Sequence, residues 1–67
     1  MDTVKYRWTN DMIDNFYCFD IPNWTLYLHP TNDGRWLSCA YKNGEKKFCE
    51  FFKDIQEAKI KAIEAAH

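Results

Sequence analysis

The chain has 67 residues, of which 46% are hydrophobic, 18% aromatic and 28% charged, with a formal net charge of −1. A chain this short makes one domain and buries only about 60% of the surface its unfolded form exposes, so a dense set of large side chains must carry the core. The composition excludes a disordered chain, and the near-neutral charge excludes strong unaided attraction to a polyanion.

The charge is unevenly spread. Residues 1–33 carry two basic and five acidic side chains, and residues 34–67 carry seven basic and five acidic ones. Cys18, Cys39 and Cys49 are odd in number and form no C-x-x-C pair, a pattern expected of reduced thiols in a cytoplasmic protein. No apolar run reaches the length of a membrane span, and none resembles a signal peptide.

Taken from the N-terminus, residues 1–23 form an irregular, strand-containing segment. "VKYRW" has the composition of a short strand, "TNDMID" reads as a turn or a single helical turn, and "NFYCFDI" reads as a strand ended by Pro22. Residues 24–52 are more explicit. "WTLYLHP" alternates Trp24, Leu26 and Leu28 with Thr25, Tyr27 and His29, the period of a strand. "TNDG" is a turn, "RWLSCAYK" a second strand, "NG" a two-residue hairpin turn and "EKKFCEFF" a third strand. The expected fold class is α+β: a meander of three to four antiparallel strands packed against one C-terminal helix over residues 54–66.

That helix has a start signal in Asp54, with Glu57 at capping-box spacing. Steps of about 100° gather Ile55, Ala58, Ala62, Ile63, Ala65 and Ala66 on one face and turn Glu57, Lys61 and Glu64 away. The small alanine side chains allow a close approach to the sheet. Ile60 lies outside the stripe.

The pairing register decides which strand face the helix covers. With "TNDG" as a four-residue loop and "NG" as a two-residue loop, Trp24, Leu26, Leu28, Leu37, Cys39, Tyr41 and Phe48 share the helix side. Thr25, Tyr27, His29, Trp36, Ser38, Ala40, Lys47, Cys49 and Phe51 share the other. The second set is too aromatic for a plain solvated surface. Either Tyr6, Trp8, Phe16, Phe19 and Ile21 fold over it, or it is an exposed binding patch with Tyr27, His29, Arg35, Trp36, Lys47 and Phe51 as its contacts.

The sequence offers no catalytic constellation. Cys49 and His29 share a face in this register but lack an orienting group, the Cys and His residues lack metal-ligand spacing, and both glycines are turn residues. No catalytic residue, metal site or cofactor is expected.

From Gly34 onward, Gly34, Trp36, Asn43, Gly44, Phe52, Asp54, Glu57 and Ala58 stand in the order glycine-x-tryptophan, hairpin, strand ending in phenylalanine, capped helix. This half of the chain resembles the AP2 and phage-integrase arm-binding domains. The resemblance implies a sheet that enters the DNA major groove, with Arg35, Trp36, Lys42, Lys46 and Lys47 as contacts. The chain departs from the pattern at Cys49-Glu50, where a glycine is usual, and places Glu45 and Glu50 among those contacts, where they oppose phosphate.

By type, the whole chain also resembles the small accessory proteins of bacteriophages and mobile elements, including anti-CRISPR inhibitors. That resemblance implies a non-catalytic module that binds a host protein, in the host-cell cytoplasm if phage-encoded. Aromatic anchors within mixed charge suit a protein partner better than a polyanion. A homodimer is compatible with an uncovered face or edge.

Overall fold

The computed structural model describes residues 6–11 and 14–67. Five antiparallel strands lie in chain order: β1 (Thr9–Asn10), β2 (Phe16–Cys18), β3 (Trp24–Pro30), β4 (Trp36–Lys42) and β5 (Glu45–Phe52). One helix, α1 (Ile55–Ala65), packs on one side of the sheet. The architecture is the α+β meander expected, with five strands in place of three or four. The additional pairing comes from the N-terminal segment: β2 pairs with β3, and β1 extends the sheet by two residues. Tyr6, Arg7 and Trp8 are not in a strand; Val4 and Lys5 of "VKYRW", and Met12 and Ile13 of the "TNDMID" turn, lie outside the described residues.

Local chemistry explains the helix and the second hairpin as the sequence implies. Asp54 caps α1, its carboxylate accepting from the Glu57 backbone N–H at 3.1 Å. Asn43 and Gly44 both take positive φ, 52° and 84°, the two-residue turn whose twist matches the flanking strands.

The first hairpin differs, and its difference sets the faces of the sheet. The Gly34 N–H donates to the Thr31 carbonyl, Thr31 N–H donates to the Arg35 carbonyl, and Gly34 has φ 85°. The loop is therefore three residues, Asn32, Asp33 and Gly34, a turn followed by a left-handed glycine. Because that loop is odd in length, β4 is displaced by one residue from the register a four-residue loop would impose. Leu26 stands opposite Ala40, Tyr27 opposite Cys39, Leu28 opposite Ser38 and Pro30 opposite Trp36.

In β4 the two faces are consequently exchanged relative to expectation: Trp36, Ser38 and Ala40 lie under the helix, and Leu37, Cys39 and Tyr41 lie on the other side. A bulge between Ala40 and Tyr41 then shifts β5, so that Phe48 stands opposite Ala40 and Cys49 opposite Cys39. Phe48 thus keeps its expected place on the helix side, and Cys49 and Phe51 keep theirs on the other.

The core sits between α1 and the sheet. Cys18, Leu26, Ala40, Ala62, Ile63 and Ala66 form its buried cluster, with Tyr6, Trp8, Ile21, Trp24 and Phe48 packed around it. The small β4 side chains meet the alanine stripe closely enough for the Ser38 hydroxyl to donate to the Ala58 carbonyl at 2.8 Å, which satisfies a fully buried hydroxyl. Phe16 meets Trp36 edge to face, with ring centroids 5.7 Å apart. The N-terminal aromatics Tyr6, Trp8 and Phe16 therefore add to the helix-side core and do not fold over the opposite face, while Phe19 is 64% exposed.

Candidate functional site

Opposite the helix, the register builds three rows of side chains. His29, Leu37 and Phe51 form one. Thr9, Tyr17, Tyr27, Cys39 and Cys49 form a second that crosses all five strands. Thr25, Tyr41 and Lys46 form the third. Among the described residues no helix or strand packs across these rows, and these residues enclose no cavity. Among the described residues the surface is an open, largely aromatic sheet face.

Tyr17 and Tyr27 pack with ring centroids 5.2 Å apart, and Tyr17 stacks on exposed Phe19 at 6.2 Å. Tyr27 also stacks on His29 at 6.2 Å. At the far side, Phe51 is 51% exposed and the Arg35 guanidinium lies 4.5 Å from its ring centroid, a cation–π contact. Arg35 is held there by an ion pair to Asp33 at 2.8 Å.

The Asp33 carboxyl is pulled down to about 2, first by its hydrogen bond from Arg35 and then by Thr31. Tyr27 shifts the other way: partial burial, followed by the neighbouring Tyr17, pushes its hydroxyl above the ordinary phenol value. It presents a neutral hydroxyl on an apolar body across the physiological range.

A polar relay orders the end of this face. Asn15 is buried, its side-chain amide donates to Asp11 at 3.2 Å, and its carbonyl oxygen is hydrogen-bonded to His29 Nδ1. Tyr17 also donates to Asp11, at 3.4 Å. The Asn15 amide spends its N–H on a carboxylate, so its oxygen can only accept, and His29 must carry its proton on Nδ1.

Of the expected contacts, the structure brings together Tyr27, His29, Phe51 and Arg35. Trp36 is a correction, because the odd loop turns it under the helix against Phe16. Lys47 sits at the bulge, ion-paired with Glu45 at 3.2 Å. Tyr17, Leu37, Cys39 and Tyr41 are members that sequence reasoning missed. For the last three, the signal was present in Asn32-Asp33-Gly34, whose glycine fits the left-handed third position of an odd loop. The basic set expected from the DNA-binding resemblance is dispersed. Lys42 lies over Trp24 at 5.9 Å on the helix side, Trp36 is also on that side, and Arg35 and Lys46 occupy different rows of the open face.

The structure also joins Cys39 and Cys49 in a disulfide and leaves Cys18 as a buried free thiol, so the expectation of three reduced cysteines does not hold for the open-face pair. Among the described residues no cluster of His, Cys, Asp and Glu is suited to hold a metal, and no helix is long and apolar enough to cross a membrane. No protein-family model, curated protein or solved structure matches the chain.

Proposed function

We propose that this protein is a non-catalytic protein-binding module, a phage-type inhibitor of a host defence or nucleic-acid-processing protein, acting in the cytoplasm through the open face of its sheet. The observation that carries this reading is the largely aromatic group on the uncovered side of the sheet. Phe19 and Phe51 are exposed, and Tyr17, Tyr27 and Leu37 are half-buried, on or beside a face that no described element covers. Aromatic side chains on rigid strands lose little conformational entropy on binding and bring large apolar area, the make-up of interface hot spots.

His29, ordered by Asn15, and Arg35, ordered by Asp33, supply fixed polar groups beside those anchors. Dispersal of the basic residues favours a protein partner over duplex DNA, because counterion release needs several cations along one phosphate path. The test is a pair of measurements on the folded chain. Immobilised protein should retain a specific host protein at physiological salt, and Tyr27→Ala with Phe51→Ala should abolish that retention. Tight and steeply salt-dependent binding to duplex DNA in a mobility-shift titration would overturn the reading.

A further inference from the structure

We infer that Cys39 and Cys49 form a reversible thiol–disulfide exchange site, whose substrates are small or protein thiols of the glutathione and dithiol classes. Three independent placements support this.

First, the bond is not the only tie between its two strands. It joins residues directly opposite each other on β4 and β5, 10 apart in sequence, in a hairpin already closed by the Asn43-Gly44 turn and paired from Trp36↔Phe52 to Lys42↔Glu45. The chain-entropy gain of a cross-link grows with the length of loop it closes, so a bond spanning 10 residues stabilises less than one between distant segments.

Second, the pair lies on the open face, not in the helix-side core. Cys39 stands beside Tyr27 in the row that crosses the sheet, and β5 is the outermost strand, so one flank of the bond has no neighbouring strand. Third, the two residues differ in access: Cys39 is 1% exposed, whereas Cys49 is only partly buried. Attack is thereby directed to Cys49. Cys18, by contrast, is sealed in the apolar cluster beneath the helix, where burial pushes its thiol up and keeps it unreactive.

The exchange balances without any further reactant. A thiolate attacks the Cys49 sulfur, forming a mixed disulfide and breaking the Cys39–Cys49 bond, and the departing Cys39 sulfur takes up a proton. A second thiolate attacks the external sulfur of the mixed disulfide, releasing the oxidised thiol pair and leaving Cys49 reduced. Two electrons and two protons pass to the protein, and two thiols become one disulfide.

The test equilibrates the full chain in glutathione buffers, records its spectra, quenches with acid and alkylates in denaturant before mass measurement. Passing to an excess of reduced over oxidised glutathione of about a hundredfold should raise the alkylated cysteines from one to three, reversibly. NMR signals of Tyr27, Leu37 and Phe51 should shift, while those of Leu26 and Ile63 stay in place. A Cys39→Ala/Cys49→Ala variant should keep the same fold and show one alkylated cysteine throughout. A bond that opens only after denaturation, reduction that unfolds the chain, or a pair that never re-forms the bond in oxidised glutathione would each overturn the inference.

Discussion

The two faces of the sheet draw on the same strands and are built to different rules. On the helix side, large residues on β3 meet small ones on β4: Leu26 and Leu28 stand opposite Ala40 and Ser38, and the alanines of α1 fill the remaining space. On the open side, large residues stand opposite large or polarisable ones, Leu37 beside His29 and Phe51, and Tyr27 beside Tyr17 and Cys39. A face made for a helix needs small side chains so that backbones approach and voids close. The open face has no such complement, and its rings lie against each other and against solvent. Aromatic content alone therefore does not mark a core. The distribution of small residues does.

The largest expected effect tests what separates the faces. Ala40→Asp sets an unpaired carboxylate at a fully buried position between the sheet and the alanines of α1. We expect a loss comparable to the whole folding free energy of so small a domain, about 5 kcal/mol, seen as loss of a cooperative unfolding transition. An Ala40→Asp variant with wild-type stability would break the comparison.

Two leucines then sharpen it. Leu26 is fully buried beneath the helix, while Leu37 lies half-buried on the open face. Leu26→Ala should cost about 3 kcal/mol in denaturant unfolding and Leu37→Ala about 1 kcal/mol; equal costs would mean that the open face is also a packed core. Next in size, Gly34→Ala should cost about 1–2 kcal/mol. Its added Cβ meets nothing within 4 Å, so the penalty comes from the positive φ alone.

The smallest effect is a pH dependence. The Asp33 carboxyl lies at about 2, below its ordinary value of 3.8, because Arg35 and Thr31 hydrogen-bond its charged form. A depressed carboxyl contributes stability that is complete above 3.8 and is lost as pH falls through about 2. Asp20 moves in the same direction, chiefly through the Arg7 backbone N–H at 2.6 Å. Both are exposed, so the change is slight and local. The protection of the Gly34 amide, its exchange rate measured against the intrinsic rate at each pH, should fall between pH 4 and pH 2, and Asp33→Asn should remove that dependence.

Much of this was legible in the sequence, and the remainder failed for identifiable reasons. The alternation of "WTLYLHP", the Asn43-Gly44 turn and the Asp54 cap each carry their own local signal, and β3, the second hairpin and α1 follow from them. The assignment of β4 to the wrong face traces to one uncounted unit of loop parity. Thr31 closes the hairpin as a paired residue, through its N–H to the Arg35 carbonyl, and does not belong to the turn. The bulge beside Ala40 carries no distinct residue signal, yet it returns Phe48 to the helix side. β1 and β2 span two and three residues, too short for periodicity to declare which side Tyr17 takes. On the open face, Tyr27 and His29 were accessible through the alternation of β3, and Phe51 keeps its expected face because the loop and bulge displacements offset each other; Leu37, Cys39 and Tyr41 were hidden by the register.

The claim that the open face binds a protein is tested most directly by quantitative pull-down from a bacterial lysate with the wild-type chain and the Tyr27→Ala/Phe51→Ala variant, matched for folded fraction. A host protein should be retained by the wild type at physiological salt and lost with the variant. Retention that is equal for the two chains, or no protein retained above a blank surface, would contradict it.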